Sequence, residues 1–194
     1  MPEELGRINQ ESLFLGERIR LTALDPETDA ETVKAWSKDA EGYAVICSKP
    51  PRPLSAGQAK ALLQPPETSD SPGQFKFGIH LAADDRLVGL AEVQDVDWRH
   101  GGAWLVIKIG AEADRGKGYG TEAMRLLLRF AFEELNLFRV NAKCEGYQVR
   151  GTAFLAKMGF REEIRRRAAV YRSGQRWDAL IFGLLREQWE AQHA

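Results

Sequence analysis

Asp114-Arg115-Gly116-Lys117-Gly118-Tyr119-Gly120-Thr121 is the stretch at which the chain changes period. Before it, Trp104-Leu105-Val106-Ile107-Lys108-Ile109 is an apolar run with strand character, and after it a strongly helical segment opens near Thr121. Glycines 116, 118 and 120 and the cations Arg115 and Lys117 therefore sit at a strand-to-helix junction. Glycine allows close approach of backbone to a ligand. A helix start offers unpaired N–H groups and the positive end of the dipole, which together suit phosphate. The stretch reads as a backbone cradle for a phosphate-bearing ligand, although a glycine-rich turn that holds nothing fits the same pattern. Two commoner phosphate motifs are excluded. Gly118 follows Gly116-Lys117, where the nucleotide-triphosphate loop needs Ser or Thr, and Gly120 falls one residue early for the dinucleotide fingerprint.

Working outward, the segments on either side set the architecture. Arg18 to Leu24 alternates as a half-buried strand, and Asp25-Pro26 starts a helix whose buried face includes Val33 and Trp36. The proline-containing stretch 40–53 is a loop, a second helix runs from Ser55 to Leu63, and 64–74 is another loop. Three strands follow, from Phe75 to Leu81, Leu87 to Val96 and Ala103 to Gly110, turning at Asp84-Asp85 and at Arg99 to Gly102, which predicts an antiparallel meander. Beyond the glycine loop, Gly120, Met124, Leu127, Leu128, Ala131 and Leu135 form one helix face, opposed by Glu122, Arg125, Arg129 and Glu133. A strand from Phe138 to Cys144, a helix from Val149 to Lys157 closed by Gly159, a hairpin turning at Ser173-Gly174 and a short terminal helix complete the chain. The expectation is one α/β (α+β) domain over residues 1–194, with a mixed central sheet, helices on both faces and a loosely ordered lead-in over 1–16.

Composition restricts the function classes. With 194 residues, 44% hydrophobic, 28% charged and a net charge of −1, the chain has a full core and lacks the basic balance of a nucleic-acid coat protein. Cys47 and Cys144 read as small side chains in a reducing compartment, and the scattered histidines (His80, His100, His193) have no metal-ligand spacing, so no metal is expected. No signal peptide and no run long enough to span a bilayer are visible, which makes a cytoplasmic protein the default and excludes a membrane partner.

Arg115-Gly116-Lys117-Gly118-Tyr119-Gly120-Thr121-Glu122-Ala123 resembles the Arg-x-x-Gly-x-Gly signature of the GNAT N-acetyltransferase superfamily. Ile107 to Gly110, Asn136 to Val140 and Lys157-Met158-Gly159-Phe160 sit where that family has like residues. The ending, with Tyr171 to Gly174, Trp177-Asp178 and Gly183 to Trp189, is similar to the branch of ribosomal-protein N-terminal and spermidine acetyltransferases. The resemblance covers roughly residues 17–190 and implies a GNAT fold in which acetyl-CoA lies in a splay between two strands. It implies that the pantetheine arm pairs with Ile107, Lys108 and Ile109, and that the pyrophosphate meets Arg115, Gly116, Lys117, Gly118, Tyr119, Gly120 and Thr121, with Gln148 and Lys157 as further cofactor contacts.

Acetyl transfer to an amine needs a base, and Glu92 is the candidate, on the parity of Val88, Leu90 and Val96 in its strand. A carboxylate that points to solvent or forms a structural pair is the competing reading, and Asp95 and Asp97 are rivals. The helix before Gly159-Phe160 departs from the family: Leu155 stands where a proton-donating tyrosine is usual, and Gln148 where asparagine is. The expected activity is direct transfer of acetyl from acetyl-CoA to a primary amine on a protein N-terminus, a polyamine or a small molecule, without direct nucleic-acid contact, in a chain that could form a homodimer. A CoA-binding sensor that no longer catalyses is the alternative that Leu155 favours. The acceptor pocket is expected from loop 40–53, including Tyr43, and the terminal hairpin.

Overall fold

The computed structural model describes residues 13–38, 52–64 and 73–192. Tyr43, Cys47 and His193, with most of loops 40–53 and 64–74, lie outside the described residues. Strand β1 (Ile19–Thr22) leads into helices α1 (Pro26–Trp36) and α2 (Ala56–Leu63), then into the meander β2 (Phe75–Leu81), β3 (Leu87–Asp97) and β4 (Gly102–Ile109). A short 3₁₀ turn (Glu112–Asp114) precedes α3 (Tyr119–Arg129), which runs into a π-type turn over Phe130–Glu134. Strand β5 (Arg139–Glu145), helix α4 (Val149–Lys157), the hairpin β6 (Arg161–Arg172) and β7 (Gln175–Leu185), and α5 (Arg186–Glu190) follow.

Local chemistry accounts for the helix starts. Asp25 accepts from the N–H of Glu27 at 2.8 Å with Pro26 behind it, and Ser55 and Gln58 form a reciprocal capping box at 3.2 and 3.1 Å. Helix α3 differs: Gly118 at its cap has no side chain to occupy the first-turn N–H groups. The helix begins at Tyr119, two residues before the sequence suggests.

The strands form one sheet in the order β1-β2-β3-β4-β5-β7-β6, with β4 and β5 parallel and the other neighbours antiparallel. Along β3, Leu90 packs with α1 and α2 in a cluster that includes Val33, Trp36, Leu54 and Leu63. Ala91 and Val93 pack instead with the larger core beneath α3 and α4, which includes Met124, Leu127, Leu128 and Phe132. Successive strand residues face opposite ways, so helices cover both faces. Val88 and Val96 belong to the larger core, not to the face of Leu90 and Glu92. The parity expected for them fails because register shifts interrupt β2–β3 between Ile79 and His80 and β3–β4 between Gln94 and Asp97, the second at Asp95 with φ 50°.

Residues 1–12 of the expected lead-in lie outside the described residues, and the segment that follows them acts at two places. Residues 13–16 are held in place: Leu21 N–H donates to Phe14 O at 2.8 Å, and the Phe14 ring lies 5.5 Å from Phe77 and 5.6 Å from Phe130. Glu122, placed by periodicity on the polar face, is buried, because the chain before β1 crosses over it. Arg129 and Glu133 do form the i,i+4 pair, at 3.5 Å. Strand β6 lies at the sheet edge, exposed from Arg161 to Ala169. Its ladder with β7 breaks at Glu162/Ile164 and at Arg166/Val170, and in the second break Asp178 accepts from the Ala168 N–H at 3.0 Å.

Gly110 ends β4 against the Trp36 indole, where an added Cβ would lie 2.1 Å from the ring. Gly110→Ala is therefore expected to lower stability by about 1–3 kcal/mol, read as a shift of the urea midpoint at unchanged slope.

Candidate active site

The site begins where two strands part. β4 and β5 are paired only from Gly102–Arg139 through Trp104–Asn141. Asn141 marks the fork, its Nδ2 donating to Ala103 O at 3.1 Å while its Oδ1 accepts from Arg139 Nε at 3.1 Å. Beyond it, β4 continues to Ile109 paired only with β3, and β5 to Glu145 paired only with β7. The inner edges of both strands are thereby left as a wedge lined by backbone, the splay expected from the sequence.

Helix α3 starts at the mouth of this wedge. A Cβ on Gly120 would lie 3.6 and 3.7 Å from Ile109 and Ile107, so its first turn rests directly on the end of β4. Lys108, the residue between them, faces the other side and shares an electrostatic field with Lys76 of β2. Gly116 (φ 76°) and Gly118 (φ 89°) hold left-handed conformations that L residues rarely adopt. Within the loop, the Arg115, Thr121 and Glu122 N–H groups find backbone acceptors, at Glu112 O and Gly118 O. Those of Gly116, Lys117, Gly118, Tyr119 and Gly120 find none among the described residues. This is a set of convergent donors at a helix N-terminus, the arrangement that binds phosphate.

Two carboxylates fix the loop from outside. Glu122 accepts from the Arg18 N–H (2.8 Å), the Ile19 N–H (3.3 Å) and Arg18 Nε (3.1 Å), and the same guanidinium donates to Lys117 O at 2.9 Å. Asp114, buried, receives both terminal nitrogens of Arg86 at 2.7 and 3.0 Å, with Lys117 Nζ at 3.7 Å. The Arg86 hydrogen bonds hold the Asp114 carboxyl below its ordinary value of 3.8, against the opposing effect of burial. Of the two motif cations, Arg115 turns back onto Ile109 O (3.3 Å) and Gly110 O (2.8 Å) and staples the end of β4. Lys117 is half-exposed beside the glycines.

The remaining candidates divide. Glu92 is 4% exposed in mid-β3, on the α1/α2 face, paired with Lys76 of β2 and Val106 of β4. Its Oε2 accepts from Gln94 Nε2 and, at 3.4 Å, from Gln74 Nε2. The rivals sit elsewhere: Asp95 is exposed in the bulge, and Asp97 caps the β3–β4 turn by accepting from the Arg99 and His100 N–H groups at 3.0 Å each. Gln148 lies at the start of α4 near the end of β5, but its Oε1 is engaged by the Glu145 N–H (3.0 Å) and the Cys144 thiol (3.4 Å). Lys157 lies at the other end of α4, beside Arg125 of α3, Met158 and Gln192.

Leu155 is buried in the larger core. Tyr147, at the β5–α4 turn, accepts from Arg172 at 2.8 Å and is hydrogen-bonded to Glu145; burial first, then Glu145, pushes its hydroxyl above its ordinary value. The Cys144 thiol is pushed up to about 11, chiefly by burial, so it is not a nucleophile at neutral pH. Among the described residues, no group of three or more His, Cys, Asp or Glu could hold a metal, and no helix is long and apolar enough to cross a membrane. Sequence reading missed Arg18, Arg86, Glu122 and Asn141, whose partners lie 28 to 104 positions away. Gln94 was visible in principle, two residues from Glu92 on the same strand face.

Residues 18–161 match the acetyltransferase (GNAT) domain, and the chain belongs to that family of acyl-CoA-dependent N-acetyltransferases. It is 32% identical over 122 residues to the SPbeta prophage-derived uncharacterized N-acetyltransferase YokL of Bacillus subtilis, covering 62% of this chain and 67% of that protein. It is 34% identical over 110 residues to the probable N-acetyltransferase YjcK of the same organism, covering 55% of this chain and 59% of that protein. The chain thus matches about three fifths to two thirds of the length of these relatives. A spermidine N-acetyltransferase from Vibrio cholerae, solved in complex with CoA and spermine, has the same fold, with a TM-score of 0.75 at 19% identity over 90% of this chain and 99% of that one.

Replacing Arg86 by Ala is expected to cost about 1–2 kcal/mol at pH 7, less than a fully buried pair because the guanidinium is half-exposed. The Asp114 contribution is complete above the ordinary carboxyl value of 3.8 and is lost as pH falls through the lower folded value. The difference in urea stability between wild type and Arg86→Ala should accordingly hold near neutrality and close below about pH 4.

Proposed function

We propose that the chain transfers acetyl from acetyl-CoA to a primary amine by direct attack within a ternary complex. The observation that carries this reading is the wedge between β4 and β5 opening onto the unpaired N–H groups from Gly116 to Gly120. A backbone-lined slot suits the amide-rich pantetheine arm along Ile107 to Ile109, and the loop donors with Lys117 suit the pyrophosphate. Arg115, Tyr119 and Thr121 serve the same end by holding the strand end and the first helical turn in place. Gln148 keeps its Nε2 for the arm, and Lys157, beside Arg125 of α3, serves as a further cofactor contact.

Glu92 is the proposed base. It lies one strand from β4, opposite Val106 and just past the fork, on the face that packs against α1 and α2. An alkylammonium must lose its proton before attack, and a carboxylate acting directly or through water can accept it. β4 backbone donors at the wedge can stabilise the developing oxyanion. With Leu155 apolar and Tyr147 engaged by Glu145 and Arg172, the departing sulfur takes its proton from water. A thiol with an ordinary value of about 8.5 leaves tolerably as thiolate. The high value of the Cys144 thiol supports direct transfer over an acyl-cysteine route. The acceptor class stays with polyamines, protein N-termini and small amines, and chemistry that draws on acetyl-CoA suits a cytoplasmic location.

A second reading, an acetyl-CoA-binding module without turnover, is favoured by the buried Leu155. Calorimetric titration with acetyl-CoA, paired with CoA-thiol release over spermine, a tetrapeptide with a free N-terminus and glucosamine, separates the two. Turnover on any amine supports the enzyme, binding without turnover supports the module, and absence of binding removes both. In the enzyme, Glu92→Gln is expected to lower kcat by about 10²-fold or more while the acetyl-CoA Kd is unchanged.

A further inference from the structure

We propose that Gln94 and Gln74 are positioning residues that hold Glu92 by one carboxylate oxygen so that the other faces the incoming amine. The proposal rests on the reading of Glu92 as base and extends it to residues outside any motif. Gln74, Lys76, Glu92 and Gln94 form a polar square on one face of the β2–β3 pair: Lys76 and Glu92 are cross-strand partners, and the glutamines flank them two residues along. Both amide donors reach the same atom, Glu92 Oε2. Oε1 receives no donor from the described chain, yet no fully buried side-chain oxygen or nitrogen among the described residues lacks a partner. Oε1 is therefore open to solvent although the residue is buried.

A glutamate side chain has three rotatable bonds, and an untethered carboxylate can turn its lone pairs away from a substrate. Two donors on one oxygen fix its plane and direct the second oxygen outward, which is the geometric requirement for proton abstraction. The charged groups around the square are Lys76 from β2 and Lys108 from β4. Lys76 Nζ is tied to Leu62 O near the end of α2, so it links that helix to the same square. Burial presses the Lys76 ammonium down while the Glu92 carboxylate pulls it back up.

The test compares Gln94→Leu, Gln74→Leu and Glu92→Ala singly and in combination, using the fastest amine of the panel above. Gln94→Leu is expected to lower kcat about tenfold while the amine KM and the acetyl-CoA Kd stay unchanged. In the Glu92→Ala background the same change should cost nothing further. Carboxyl-carbon NMR of glutamate-labelled protein, with the Glu92 signal assigned through Glu92→Gln, gives a readout independent of turnover. At fixed pH 7 that signal should move and broaden in Gln94→Leu, as the carboxylate loses its fixed orientation. An equal loss of kcat with and without Glu92, or an unchanged Glu92 signal in folded Gln94→Leu, overturns the proposal. If Gln94→Leu does not fold, Gln74→Leu carries the same readouts, because Gln74 is only half-buried before β2. Full kcat in Glu92→Gln would instead overturn the assignment of the base, and the positioning role with it.

Discussion

The pairing of β4 with β5 stops at Trp104–Asn141, and most of the site follows from that interruption. Each strand spends its other edge completely, β4 on β3 and β5 on β7. The inner edges beyond the fork have no partner strand and must be satisfied by solvent or by a ligand with amides of its own. The crossover through α3 brings a helix start over the same gap, because the chain leaves β4 at its open end. Loss of a few ladder bonds and creation of a slot with polar walls are one event. Asn141, bonded to Ala103 O, closes the fork so that the gap goes no deeper.

The loop at the gap has a problem of its own, since it carries Asp114 and Glu122 at a place suited to anions. The structure resolves it by charge cancellation from a distance. Arg86 takes Asp114 through two nitrogens, and Arg18 takes Glu122 through backbone and side chain. Neither carboxylate is left to repel a phosphate, and both become fixed points that hold the left-handed glycines in position. The unpaired N–H groups are then organised before any ligand arrives, which lowers the ordering cost of binding.

Much of this was legible from residue order. The meander, the helix face from Met124 to Ala131 and the glycine junction are local patterns with periods of 2 and 3.6, and they appear as read. The failures have local causes too. Asp95 in a left-handed conformation shifts the register, so Val96 does not share the face of Glu92. Glu122 looks like a surface residue by period and is buried because a segment about a hundred positions earlier needs its carboxylate. Pairings of that span follow no spacing rule.

The edge strand β6 has a consequence for the solution behaviour of the molecule. An exposed strand from Arg161 to Ala169 would ordinarily offer its free backbone groups to the edge of another molecule, and sheets grow that way. Here Ala168 turns its N–H inward to Asp178 with φ 50°, and Arg165 is drawn to Glu162 and Asp178. The outer rim is thus uneven in hydrogen-bond spacing and studded with arginines 161, 165, 166 and 167. A second flat strand cannot stay in register with it beyond a few residues, and a second copy would bring like charges together. The sheet therefore terminates in a self-limiting border, which resists growth into a fibre without needing a covering helix.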